Sequence, residues 1–391
     1  MFLMQEIGME KTVRHTRKSL SCIFLILASG TAIAQPFVAS SGLTQEGKLV
    51  LSGQSFGSGP NIVLYDNFND ARIIDGELRL APQVGKWHEL SASSPALHED
   101  QRRDSSLVVR GPSYAKLTFG VDDSEGFHGL KYFQEVFFSY SVRDVGEFPG
   151  DNSSLNSFSN ISSTKDAWMM FGGRGDNTEY AVSQGLPAGN DLYIPAWTGG
   201  GFNIAGNNTG MNPSFWQGEL TKNWDFGGWN INMFHAELNP EDPYGRAEGF
   251  FSFINENQYV VNIRNGNFME DLRSERMPYP FWDRIKFFAW LRTGDAEVHR
   301  LLDDVYVAIG PNANARLVIT DGRTLEKSTM IYHLFIDQWS NDKITASIPE
   351  HILEDSNNNY FVTVINSNNE RSTSFPLCLD CPSAPSLEIV Q

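Results

Sequence analysis

The segment Asn230–Leu238 carries a histidine where alternation could expose it. Met233, His235 and Glu237 share one face of such a strand, and Phe234, Ala236 and Leu238 share the other. The apolar set is expected against a core, which leaves His235 on an open, concave face. Tyr259 and Arg264 lie on a nearby strand segment, and Arg292 follows Trp290 on another. A His or Tyr that takes a proton from a carbon next to a carboxylate, with an Arg that neutralises that carboxylate, could carry out β-elimination. A solitary histidine on a strand also serves as a surface or packing residue.

A second group suits binding. Tyr193, Trp197, Trp216 and Trp224 fall among Gly199–Gly201, Asn203, Asn207, Asn208, Asn212, Gln217 and Asp225. Flat C–H faces of sugar rings stack on exposed Trp and Tyr, while hydroxyls take planar amide, carboxylate and guanidinium partners. Trp290 and Arg292 extend this set. Loops avoid large aromatics unless these pack or bind, so the same residues could instead cover the end of a core.

Other chemistries lack their parts. Glycoside hydrolysis wants two carboxylates at a fixed separation, and Glu237, Asn239 and Glu241 do not supply an E-x-D-x-x-E strand. Gly53-Gln54-Ser55-Phe56-Gly57 fits G-x-S-x-G in letters. It precedes no helix and reads as a turn, not a nucleophile elbow. Hard oxygen ligands gather at Asp66, Asn69, Asp75, Asp303 and Asp304, the donor type of a structural calcium; the same residues also suit β-turns. No organic cofactor is expected.

The elements that must position these residues are strands. With 47 acidic against 30 basic residues the formal charge is −17, which excludes a basic nucleic-acid face. Hydrophobic residues make up 41% of the 391, enough for a sizeable core. Short β-branched or aromatic runs separated by Gly, Asn, Asp and Pro recur from Lys48 to Ile365. No long stretch keeps a helical apolar period, so the chain is expected to be all-β. Residues 146–165, rich in Ser and Asn, read as a long loop.

Residues 1–34 read as a secretory signal peptide. Lys11, Arg14, Arg17 and Lys18 precede the apolar run Leu20–Ala28, and Ala32-Ile33-Ala34 gives a small-x-small site. The run is too short to span a bilayer, so no membrane insertion is expected and the place is secreted or periplasmic. Its removal takes Cys22 and leaves Cys378 and Cys381, read as a small disulfide in an oxidising compartment.

Tyr65-Asp66-Asn67-Phe68-Asn69 with Asp75-Gly76-Glu77-Leu78, and Leu302-Asp303-Asp304-Val305-Tyr306-Val307, resemble the opening and closing strands of concanavalin-A-like or laminin-G-like jelly rolls. Trp229–Asn239 followed by Glu248–Asn255 resembles the central hairpin of polysaccharide-lyase-like members. The alginate-lyase signatures R-x-E-x-R, Q-I-H or Q-V-H, and Y-x-K-x-G-x-Y-x-Q are missing. Leu49–Gly57 and the segments Gln338–Ser340 and Lys343–Ile348 resemble IPT/TIG immunoglobulin-like domains.

These resemblances imply a concanavalin-A-like β-jelly-roll sandwich at residues 61–310 and a small immunoglobulin-like β-sandwich at 311–377. A tail follows at 378–391. Residues 35–60 would lend the smaller module its first strand, with residues 47–53 packed on 316–377. In that jelly roll the first and last strands pair. The functional expectation is a protein that binds polysaccharide or another glycan. The alternatives are a lyase acting on uronic-acid polymers through His235, Tyr259 and Arg264, or a structural or adhesive surface protein.

Overall fold

The computed structural model describes residues 35–87, 89–92, 96–100, 103–110, 115–119, 133–146, 161–170, 191–198, 202–207, 215–216, 229–238, 246–255, 258–261, 268–271, 284–293, 298–355 and 359–377, several of the strands by their backbone alone. Residues 1–34, Trp224, Arg264, Cys378 and Cys381 lie outside the described residues.

The alternating runs become strands almost throughout. First come β1 (Phe37–Leu43) and β2 (Lys48–Gln54). Next are β3 (Asn61–Asp66), β4 (Arg72–Ile74), β5 (Glu77–Arg79), β6 (Glu89–Ala92), β7 (Ala96–Asp100), β8 (Arg103–Arg110) and β9 (Ala115–Phe119). The central part holds β10 (Glu135–Gly146), β11 (Ile161–Met170), β12 (Asp191–Thr198), β13 (Phe202–Asn207), β14 (Phe215–Trp216), β15 (Trp229–Leu238), β16 (Arg246–Asn255), β17 (Gln258–Val261), β18 (Phe268–Asp271), β19 (Arg284–Thr293) and β20 (Val298–Ile309). The last part holds β21 (Arg316–Thr320), β22 (Ile331–His333), β23 (Phe335–Trp339), β24 (Lys343–Ser347), the short helix α1 (Glu350–Glu354), β25 (Phe361–Ile365) and β26 (Phe375–Pro376).

Two sheets in the order β1-β2-β24-β23 and β22-β21-β25-β26 enclose one small core. Leu49 and Leu51 from β2 meet Ile344 and Ala346 from β24, and Leu317, Ile319, Val362 and Val364 from the facing sheet. The turn after β2 wraps the hairpin between β23 and β24. Gly53 N–H donates to Asp342 O at 2.8 Å, Phe56 N–H to Asn341 O at 3.0 Å, and Trp339 Nε1–H to Gly57 O at 3.2 Å. A Cβ on Gly59 would lie 2.5 Å from Trp339 Cβ, so only glycine lets the chain pass there.

The larger sandwich has one sheet ordered β17-β16-β15-β10-β20-β8-β7, with β18 on β16 and β3 on β20. The other sheet is ordered β14-β13-β12-β11-β19-β9-β6. Val305 pairs with Asp66 and Tyr306 with Tyr65, so β3 and β20 close this unit as first and last strands. Phe138, Tyr140 and Phe234 form its inner face against Phe287 of β19, with ring centroids 5.8 Å apart for Phe138–Phe287 and 5.6 Å for Tyr140–Phe287. Trp87 closes one end at 5.9 Å from Phe287.

The outer face of the first sheet carries Phe137, Ser139 and Tyr306, and the small sandwich rests on it. His333 lies 5.4 Å from the Phe137 ring and 5.5 Å from that of Tyr306. The Arg316 guanidinium sits 4.6 Å from the Phe137 centroid. Phe335 stacks on Tyr65 at 6.4 Å.

Two expectations from the sequence need correction. Residues 161–165 are not loop but the start of β11, and residue 146 ends β10; Ser and Asn suit an edge or a turn, but pairing with β12 and β19 overrides that local preference. The face that carries His235 is also not open. Trp229, Ile231 and Met233 on the same alternation are buried, and exposure begins only towards Glu237. A third layer packs on a sheet face that hydropathy alone leaves to solvent.

Candidate functional site

His235 follows from strand alternation and ends up partnered. Its Nε2 lies 3.2 Å from Glu135 Oε1, and the two side chains are only 12% and 15% exposed. Glu135 Oε1 also accepts the Asn314 N–H at 3.4 Å, which ties the pair to the segment entering β21. Tyr259 is not brought to it. Tyr259 pairs with Ile254, which pairs with Ile231, whereas His235 pairs with Phe250. The four-residue offset along β15 amounts to about 13 Å, and the two-strand step adds roughly 9–10 Å. β17 ends at Val261, short of Arg264.

The aromatic positions divide between two cross-strand rows of the second sheet. Trp168 on β11 stands opposite Tyr193 on β12 and Lys286 on β19. The row continues to Ala205 on β13 and Thr118 on β9. Lys286 is next in the chain to Phe287, whose ring packs against Phe138 of the facing sheet. Trp197, four residues beyond Tyr193, shares its alternation.

The other row runs Trp216, Asn203, Ala196, Lys165 and Trp290. Ala167, two residues beyond Lys165, pairs with Phe287, and a register shift between Phe287 and Trp290 sets Trp290 opposite Lys165. Arg292 pairs with Ser163. Tyr193 and Trp290 therefore stand in different cross-strand rows. Trp168 escaped sequence reasoning, although alternation along Ala167–Phe171 already sets it opposite Ala167.

The carboxylates serve turns and the sandwich edge. Asp66 is 1% exposed; its Oδ1 accepts the Phe68 N–H at 2.8 Å and its Oδ2 the Trp87 Nε1–H at 2.6 Å. Burial pushes its pKa up to about 6, against the lowering effect of those hydrogen bonds. Asp75 and Gly76 have φ of 52° and 79° and close the two-residue β4–β5 hairpin, with Asp75 exposed. Asn69 is half-buried, and its N–H donates to Asn67 Oδ1 at 3.2 Å. Asp303 is buried, and its Oδ1 accepts the N–H of Asp304, whose φ is 47°. Among the described residues no three His, Cys, Asp or Glu side chains gather around a metal position.

Strand order and core together define an all-β protein: a jelly-roll-type sandwich with a small immunoglobulin-like sandwich. Comparison with family models and with curated sequences returns no match. Among solved structures, the marine PL-14 alginate lyase from Aplysia kurodai is similar over 56% of this chain and 87% of its own, at 8% identity and TM-score 0.33. Domain 4 of AbnA, a GH43 extracellular arabinanase from Geobacillus stearothermophilus solved with arabinotriose, is similar over 65% of this chain and 94% of its own, at 11% identity and TM-score 0.36. The binding domain of botulinum neurotoxin serotype G covers 78% of this chain and 73% of its own, at 9% identity and TM-score 0.30. Scores this far below 0.5 carry no further argument. Among the described residues no helix is long and apolar enough to cross a membrane.

Proposed function

We propose that this is a secreted or periplasmic glycan-binding protein, and that it takes a polysaccharide along one cross-strand row of the second sheet. The observation that carries the reading is the row Lys286–Trp168–Tyr193, with Trp197 on the same alternation. Neighbouring strands lie about 4.8 Å apart, close to the spacing at which one sugar unit spans two aromatic positions. A lysine in the row suits hydroxyl or carboxylate oxygens.

Binding is favoured over cleavage. The His235 side chain is largely covered and paired with Glu135, and Tyr259 is far from it in register. Proton abstraction needs a base within hydrogen-bond reach of the reacting carbon.

Glycan arrays and pull-downs on insoluble polysaccharides test the reading. Trp168→Ala and Tyr193→Ala are each expected to weaken binding about tenfold, ~1.4 kcal/mol. Binding that both variants retain in full, or no binding by the wild type, rejects the proposed row. Ultraviolet absorbance of an unsaturated product from alginate or glucuronan would instead favour the lyase.

A further inference from the structure

The joint between the small sandwich and the first sheet is built around a histidine. His333, from β22, is 6% exposed, and its Nδ1 lies 2.9 Å from Ser139 Oγ on β10. Its neighbours in the chain, Tyr332 and Leu334, point into the small core, while His333 itself lies outside that core and faces the joint. Arg316 of β21 is 1% exposed and donates to Asn314 O at 2.6 Å, Asn314 Oδ1 at 2.7 Å and Asn369 Oδ1 at 3.1 Å, all neutral oxygens. Among the described residues neither His333 Nε2 nor Tyr306 Oη has a hydrogen-bond partner.

We propose that His333 is an acid-operated latch: its neutral imidazole holds the small sandwich on the outer face of β10 and β20, and its protonation opens this joint while both sandwiches stay folded. A neutral ring needs a single exchange with Ser139 and leaves one nitrogen idle at modest cost. An imidazolium has two N–H donors, one aimed where no described acceptor lies, and carries its charge into a buried site beside a guanidinium. Burial and, secondarily, Arg316 both hold the His333 pKa well below the ordinary histidine value.

Among the described residues, the titratable and charged groups facing the joint include Tyr306 of β20, Tyr65 of β3 and Arg316 of β21. Further along β10 lies Glu135, paired with His235. Glu135 is engaged by His235 at 3.2 Å and by the Asn314 N–H at 3.4 Å.

The closed joint binds fewer protons than the open one. Closure is therefore at full strength above about pH 7 and weakens as pH falls below the unperturbed histidine value of ~6.5, by up to tenfold per pH unit. Opening leaves the small core untouched, because none of its members is His333.

The test uses the full chain at pH 7.5 and 5.0, with X-ray scattering and hydrogen exchange of Ile331–Leu334 corrected for intrinsic rates. The wild type is expected to expand and to lose at least tenfold protection in that segment at the lower pH. His333→Gln keeps an acceptor for Ser139 and cannot charge, so it should behave alike at both pH values. His333→Lys, charged throughout, should be open at pH 7.5. Equal protection of the wild type at both pH values overturns the latch, as does a full acid response in His333→Gln; that second variant decides the matter even if His333→Lys does not fold.

Discussion

Leu51 pairs directly with Ile344, so a strand that precedes the large sandwich is finished by one that follows it. Both side chains are fully buried in the core of the small sandwich. Leu51→Ala is expected to cost about 2–5 kcal/mol, read as a shifted midpoint in denaturant. The loss should appear in probes of β21–β25, remote in sequence. A cost under about 1 kcal/mol would mean that β2 is an accessory strand.

Gly85 tests a close approach of backbone to backbone. It has φ +75°, and a Cβ there would lie 2.1 Å from the Val63 carbonyl oxygen. Gly57 has nearly the same φ, +73°, with nothing within 4 Å. Gly57→Ala should therefore show only the left-handed backbone penalty, about 1–2 kcal/mol. Gly85→Ala should exceed it by at least ~1 kcal/mol, because backbone must move. Thermal melts of the two variants side by side give the difference.

Asp66 sets a second pH dependence, opposite in sign to that of His333. Its folded pKa is raised from 3.8 to about 6, so its favourable contribution is fully present below pH ~4 and is lost as pH rises through 6. The span corresponds to about 3 kcal/mol. Asp66→Asn should remove the Asp66 share of the slope between pH 4 and 6 and leave the His333 share. Urea midpoints measured across that range check it; an unchanged slope would assign the titration elsewhere.

Arg316 is buried beneath the joint, and its two terminal nitrogens donate to Asn314 and Asn369. Arg316→Ala is expected to cost about 3–5 kcal/mol through lost packing on Phe137 and orphaned amide oxygens. Arg316→Met keeps the packing and removes the charge beside His333, so it should cost less and shift the acid opening to lower pH. A Met variant that opens at the same pH as wild type would show that the guanidinium does not act on the histidine.

Much of this architecture is legible in residue types. Ala115–Phe119 alternates and Lys48–Ser52 holds a short apolar run, and strands form at both with bounds within two residues of expectation. Leu49–Gly57 and Gln338–Ile348, remote in sequence, meet as the Gly53–Gly57 turn on the Trp339–Asp342 hairpin. The site was less legible for a physical reason. Alternation says that Phe234 and His235 face opposite ways, but a sheet face has no local mark for whether a further layer will cover it. Nor does sequence reveal the register shift in β19 that sets Trp290 opposite Lys165. Such an irregularity depends on the partner strand.

The split origin of the small sandwich also governs how the chain reaches its final state. β1 and β2 emerge from synthesis first, yet their partner β24 arrives only after the whole larger unit has been made. Until then β2 presents an unsatisfied edge and Leu49 and Leu51 have no core to enter. Such non-local pairing raises contact order and slows folding, and an unfinished edge invites association with other chains. The large sandwich, closed on itself by β3 and β20, can form early and bring the ends of its insertion together, which shortens the loop that β2 and β24 must close.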